Sequence, residues 1–407
     1  MKKFLVFLSM TIENIIKDGI LCRIRVDENN IITAIEETTF DGKSIDNLSF
    51  ALPGLVNMHT HSAMTILRSV GSGLPLFRWL NEAIFPIEAQ LTEDDIYKGA
   101  LDACQEMRES GTIAFNDMYF SIKSTIRAAA ETGMFANVAL SVTDRDFDNP
   151  QLIKDYLKTI ERIDIPGITT SIAPHAIYTV SGTHLQYLAD FAKEHGTIFH
   201  IHISETEKER EDCLKEHSMS PVRYIEKLGI LDKVGNRFIG AHSLWLDSDE
   251  IQILGNHGAT VVHCPNSNLK LGSGFRFLYC ELRDAGVNVT LGTDGCASSD
   301  NLDMIEAMKV MSLLQKGTRN DPSILPSDEV LEVATTNGYR ALGLPDMSIK
   351  VGNRFMASIV PLNNRIFKGI DIVNSTPTQI QQSILNRLIY AGNGSLIANK
   401  LPRKTLK

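Results

Sequence analysis

Eight short apolar segments, each running into polar and chemically capable residues, constrain this chain more than any other feature. In order they are LPGLVNMHTH (52–61), GTIAFNDMY (111–119), ANVALSV (136–142), ITTSIAPH (168–175), TIFHIHISE (197–205), RFIGAHSL (237–244), ATVVHCPNS (259–267) and NVTLGTDG (288–295). Near-continuous apolar strands are what a parallel sheet buried on both faces requires. Helical patterns lie between them. In EDDIYKGALDACQEMRESG (93–111), Ile96, Ala100, Ala103, Cys104 and Met107 share one face, and Gly111 closes the pattern. SIKSTIRAAAETG (121–133) and THLQYLADFAKEHG (183–196) also end in Gly, and DEIQILGNHG and RFLYCELRDAG follow the same plan. Eight strand–helix units predict an α/β fold, a (β/α)8 barrel of the TIM type, over residues 53–349. Functional residues in such a barrel lie at the C-terminal ends of the strands. His61, His175, Glu205, His242 and Asp294 all fall there.

The flanks read differently. Residues 1–52 and 350–407 carry short strand-like stretches, among them IRVDENNIITAIEE, ASIVPL and RLIYAG. They predict a small β-sandwich domain made by the two ends of the chain. The opening MKKFLVFLSM imitates a secretory signal, but its apolar run covers only Phe4 to Leu8, and Thr11-Ile12-Glu13 follow. It reads as a first β-strand. The six cysteines are scattered and form no CxxC pair, which fits reduced thiols and a cytoplasmic protein. A net charge of −9 opposes binding to a phosphate backbone, so nucleic acid is not an expected partner. No apolar run approaches the roughly 20 residues that span a bilayer, so no membrane partner is expected.

Two histidine pairs carry the chemistry. On a strand, residues i and i+2 point to the same face. His59 and His61 in MHTH, and His200 and His202 in HIHISE, therefore each present two imidazoles to one side. LGTDG places Asp294 at the end of the eighth strand, beside the first when the barrel closes. Neutral imidazoles with one carboxylate suit Zn2+, or Fe2+ and similar ions. A lone HxH is ordinary strand packing more often than a ligand set. A second His at strand five and an Asp at strand eight make coincidence a poor account. A divalent ion in such a site lowers the pKa of a bound water from 15.7 to about 7.

On these motifs the chain resembles the amidohydrolase superfamily, in the branch of S-adenosylhomocysteine, 5′-methylthioadenosine and 5′-deoxyadenosine deaminases. The matching stretches are LPGLVNMHTHSAMTILRS, LPLFRWLNEAIFPIEAQLT, GTIAFNDMYF, APHAIYTVS, IHISET, GAHSLWLD, HCPNSNLKLGSG and LGTDGCASSDNLDM. They cover most of residues 52–345, in order. The resemblance implies a hydrolase that removes ammonia from the adenine ring, and a homo-oligomer. It assigns one divalent metal, Zn2+ first and Fe2+ second, to His59, His61, His202 and Asp294, with His200 in a second layer. The binuclear members' bridging lysine has no counterpart in APHAIY, so one ion is expected. Asp294 takes a proton from the attacking water, Glu205 protonates the ring nitrogen, and His242 hydrogen-bonds the water and the developing alkoxide. His263 would buttress the site.

For the substrate, the resemblance implies that Trp79 packs on the nucleoside, Glu88 bonds the ribose hydroxyls, His175 contacts the substrate and Glu205 meets the ring nitrogen. Members that take S-adenosylhomocysteine use arginines near strand three to hold its carboxylate. Here Arg145 is the one nearby candidate, flanked by Asp144 and Asp146, which weaken its pull on an anion. Adenosines with smaller or neutral 5′ groups are therefore expected: 5′-methylthioadenosine, 5′-deoxyadenosine or adenosine, with S-adenosylhomocysteine retained as a substrate candidate. The rival readings are an aminohydrolase for guanine, cytosine or a triazine, and, further off, a non-catalytic ligand-binding barrel. The latter has no use for a general acid and base.

Overall fold

The computed structural model describes residues 9–40, 44–161 and 163–398. The expected strand at Phe4 to Leu8 and the basic tail beyond 398 lie outside the described residues. The first strands pair locally: β1 (Met10–Lys17), β2 (Ile20–Val26) and β3 (Ile32–Glu37) form an antiparallel meander. β4 (Ser49–Pro53) joins β1 in parallel.

Gly54 alone separates β4 from β5 (Leu55–Thr60), so one nearly continuous stretch passes from the small sheet into the barrel. A Cβ at Gly54 would lie 2.6 Å from the Met356 carbonyl and 2.5 Å from the Ile113 side chain. The joint is therefore closed to any other residue.

The barrel continues with β6 (Thr112–Tyr119), β7 (Phe135–Val142), β8 (Ile168–Pro174), β9 (Phe199–Ile203), β10 (Phe238–His242), β11 (Thr260–His263) and β12 (Asn288–Leu291). All eight pair in parallel in sequence order, the (β/α)8 arrangement that the sequence predicts. β12 returns to β5: the Asp294 N–H donates to the His59 carbonyl at 2.9 Å. The expected helices lie between the strands, including Glu93–Glu109, Ile122–Thr132 and Gly182–His195. Their apolar faces close on the outer faces of the strands, in one core that holds Ala100, Met107, Leu188, Phe199 and Ile203.

The last strand, β13 (Ala357–Pro361), pairs antiparallel with β4 and completes a single five-stranded sheet from both ends of the chain. RLIYAG is not a strand. It ends a helix over Pro377–Ala391 that packs against barrel helices. Thr376 and Gln379 form a capping box, Pro377 starts the helix, and Ile380, Ile384 and Leu388 recur every four residues. That period overrides the strand-like composition of its last turn. The six cysteines are free thiols. Among the described residues, no helix is long and apolar enough to cross a membrane.

Candidate metal centre and active site

The strand ends bring four groups to one point. His59 and His61 leave β5 on the same side, His202 comes from β9 and Asp294 follows β12. Asp294 Oδ1 lies 3.4 Å from His59 Nε2 and 3.3 Å from His61 Nε2. His61 Nε2 is 3.3 Å from His202 Nε2.

The far sides of these rings fix their tautomers. His61 Nδ1–H donates to the Met118 carbonyl at 2.6 Å, and His202 Nδ1–H donates to the His175 carbonyl at 2.7 Å. With both rings neutral, the Nε2 atoms carry lone pairs that face one another, an arrangement that calls for a cation between them, or for a proton on His61. His59 Nε2 is buried and makes no hydrogen bond. An orphaned imidazole nitrogen, two opposed lone pairs and a carboxylate oxygen are a donor set that fits one divalent ion. His59, His61 and Asp294, and also His59, His202 and His242, lie close enough to share one.

The surrounding shell holds this set still. His59 Nδ1 meets His200 Nε2 at 3.1 Å, and Asn116 Nδ2 approaches His200 Nδ1 at 3.1 Å. His200 thus lies behind His59, between it and Asn116. Asp294 Oδ2 accepts from Ser267 Oγ at 2.6 Å and from Ser298 Oγ at 3.2 Å. Burial opposes ionisation of Asp294, yet its contacts with His59 and His61 hold it well below the ordinary carboxylate range. The same carboxylate overrides burial at His61 and lifts it to about 9, while burial keeps His59 near 4.

Glu205 and His242 stand beside this cluster. Glu205 Oε1 accepts from Ser273 Oγ at 3.0 Å, and Oε2 lies 3.8 Å from His242 Nε2. Burial, with the charge of Asp294 second, pushes Glu205 up to about 8. Asn268 Nδ2 donates to His242 Nδ1 at 2.9 Å, so neutral His242 presents its Nε2–H to the site. Burial keeps His242 neutral, near 4. His175 is also neutral by burial, near 4, and its ring packs edge-on against His202. His263 is buried and stacks on Phe277 at 4.1 Å, away from the converging nitrogens.

Residues 62–91 rise over one side of the mouth. Glu88 is half-buried there and accepts from Tyr119 Oη at 2.6 Å; burial raises its pKa. Trp79 lies in the same segment. It is only 5% exposed, packs in a core with Leu67, Leu76 and Ile84, and donates Nε1–H to the Val70 carbonyl. The indole is committed to the segment's own packing. Phe85 and Tyr178 are more accessible aromatics, each 37% exposed, with Phe77 against Tyr178. Arg145 is exposed on the turn Asp144–Asp148, where Asp144 bonds Ser181 and His184. Sequence reasoning missed Ser267, Asn268, Ser273 and Ser298. HCPNSN and LGSG were visible as motifs, but no local pattern said which carboxylate each hydroxyl would meet.

A parallel barrel with imidazoles and two carboxyl groups converging at its C-terminal strand ends defines a class of barrel hydrolases. The chain belongs to the Amidohydrolase family, whose model matches residues 50–384. It is 41% identical over 350 residues to 5-methylthioadenosine/S-adenosylhomocysteine deaminase 1 of Archaeoglobus fulgidus, covering 85% of this chain and 79% of that protein. It is 40% identical over 329 residues to the 5′-deoxyadenosine deaminase of Methanospirillum hungatei, covering 78% and 73%. Among solved structures, it is similar to a zinc-bound adenosine deaminase from Xanthomonas campestris. There the TM-score is 0.78 at 30% identity, over 92% of this chain and 85% of that one.

Proposed function

We propose that this protein hydrolytically deaminates the adenine ring of adenosine derivatives, releasing ammonia and the inosine analogue. The observation that carries the reading is one site holding both a convergent imidazole–carboxylate set and a second carboxyl group, Glu205, that keeps its proton near neutral pH. A binding module needs no such acid. The names of the relatives support adenine as the ring and a 5′-modified nucleoside as the substrate.

Nε2 of His59, His61 and His202, with Oδ1 of Asp294, would hold one divalent ion. Zn2+ is favoured by the zinc-bound neighbour and by the ligand set. When bound, that ion makes hydroxide available at neutral pH. Asp294, kept ionised by its histidines and steadied by Ser267 and Ser298, accepts the proton of the attacking water. Glu205 delivers its proton to the ring nitrogen next to the carbon under attack, and that ring then accepts the electron pair. His242 Nε2–H stabilises the oxygen that adds to the ring carbon. Expulsion of the amine, protonated on the way out, restores the ring and leaves ammonia. His175 and Glu88 are assigned to substrate contact. The small 5′ groups of 5′-methylthioadenosine, 5′-deoxyadenosine and adenosine are preferred, because Arg145 is the one arginine offered for a carboxylate and it stands among acids. The enzyme is assigned to the cytoplasm as a homo-oligomer.

Elemental analysis of the purified protein should find one metal ion per chain. Ammonia release, with the absorbance change of adenine to hypoxanthine, should follow from adenosine analogues. Asp294→Asn should abolish it. Metal-replete protein that releases no ammonia from any purine or pyrimidine would refute the enzyme, and a clear preference for guanine or cytosine would refute the substrate.

A further inference from the structure

The charged run ETEKERED (205–212) hides a second buried acid. The helix over Glu207–His217 exposes Glu207, Glu211 and Glu216, but Glu209 is 3% exposed. Its carboxylate is met by backbone N–H groups. Oε1 accepts from the N–H of Ser204 at 2.9 Å, and Oε2 accepts from the N–H of Glu205 at 2.7 Å.

This is not what helix capping alone would give. Thr206 already caps the helix by accepting the Glu209 N–H at 3.1 Å. In an ordinary capping box the carboxylate three residues on returns to the N–H of the cap itself. Here its two short bonds go to the peptides preceding the cap, with the Thr206 N–H as a weaker stabilising neighbour, and it is buried to make them. Burial raises its pKa, and the N–H groups of Glu205 and Ser204 oppose that shift by stabilising the charged form.

The peptides it holds are strained ones. Ser204 has φ +52°, a left-handed conformation that L-residues seldom adopt. The Ser204 carbonyl accepts the N–H groups of Leu244 and Trp245 at 2.9 and 3.0 Å. Glu209 therefore grips this turn from one side and the loop after β10 grips it from the other. Between them the backbone at Ser204 and Glu205 is held, and the Glu205 side chain enters the site between Ser273 and His242.

We propose that Glu209 is a positioning residue for the proton donor, pinning the left-handed turn at Ser204 and Glu205 so that the Glu205 carboxyl is aimed at the substrate ring. The proposal rests on the assignment of Glu205 as that donor. A carboxylate can accept two N–H groups at once. A glutamine cannot: one of its termini is itself a donor and would face an N–H. Glu209→Gln must therefore release one of the two peptides although its shape is almost unchanged.

The test is a double-mutant cycle in the metal-loaded enzyme, with adenosine as substrate and metal content measured for each variant. Glu209→Gln should lower kcat by about tenfold or more with KM within about threefold. In a Glu205→Gln background the same change should cost nothing further, because Glu209 acts only through Glu205. A kcat within twofold of wild type, a loss confined to KM, or an equal loss in the Glu205→Gln background overturns the proposal. Glu205→Gln with full turnover overturns the donor assignment and this proposal with it, so the two failures are distinct. Should Glu209→Gln not fold, hydrogen exchange on the wild-type enzyme decides. The Ser204 and Glu205 amides should be strongly protected, and exchange as fast as in exposed neighbours overturns the proposal.

Discussion

Gly292 offers the most direct test of how the barrel sets the metal centre. It closes β12 onto β5, two residues before Asp294. A Cβ there would lie 2.8 Å from His59 N, 2.9 Å from His59 O and 3.0 Å from His59 Cβ. None of these is the end of a flexible side chain. Ordinary carbon contacts begin near 3.5 Å, so Gly292→Ala requires the two strands to part by about half an ångström. That motion acts on the Asp294 N–H to His59 carbonyl bond and on Asp294 Oδ1, which sits 3.4 Å from His59 Nε2. Overpacking of this kind costs about 1–3 kcal/mol. Displacement of catalytic groups by about half an ångström costs on the order of tenfold in rate. The variant should melt a few degrees lower, bind metal more weakly on chelator titration, and lose about tenfold in kcat at saturating metal. Gly317→Ala is the control, since a Cβ there meets nothing within 4 Å. It should leave metal affinity and turnover unchanged and, as a glycine replaced within a helix, melt no lower than wild type. A Gly292→Ala enzyme with wild-type metal affinity and turnover would refute the claim that strand contact at this point sets the ligand geometry.

Glu205 gives a pH prediction. In its proposed role its protonated form is the acid, so activity should fall as pH rises through about 8; a rate still flat at pH 10 would exclude it as the acid. The folded protein keeps this proton above the ordinary value of 4.5 while the unfolded chain releases it, so stability declines between these two pH values. Glu205→Gln should therefore be more stable than wild type at pH 8 while losing about 10²–10⁴-fold in kcat, measured by thermal melts and ammonia release. Trp79→Phe removes the bond to the Val70 carbonyl and should lower stability by about 1 kcal/mol. A rise in KM with no change in melting temperature would instead put the indole against the nucleoside.

The parts of this architecture that were legible are those written in local periodicity. Continuous apolar runs announce strands buried on both faces, and the i, i+2 histidines announce a common direction. RLIYAG misled because six residues were read without the cap and the four-residue period that precede them. An aromatic beside a site, as at Trp79, can serve the site or the segment that covers it, and no short pattern separates the two. The hydroxyls of Ser267 and Ser273 were invisible for another reason. They meet carboxylates 27 and 68 residues away, and no short pattern encodes such a distance.

The backbone at these strand ends carries a related message. Ser204, His242, Ser243 and Asp294 all have positive φ, at 52°, 70°, 50° and 65°. Glycine would adopt these angles without penalty, whereas each of these residues costs on the order of 1 kcal/mol or more. The N–H groups of three of them are tied down: Ser204 to Glu209, Ser243 to the Ile203 carbonyl, Asp294 to the His59 carbonyl. A left-handed turn sends the chain sharply away from the strand axis, and at His242 and Asp294 it leaves the side chain facing the barrel's centre. Glycine would relieve the strain at those positions and remove the imidazole and carboxylate for which the turn is made. The strain is thus located where a side chain must sit on a turn that side chains disfavour, and the rigid strand pairs beneath it are what hold it there.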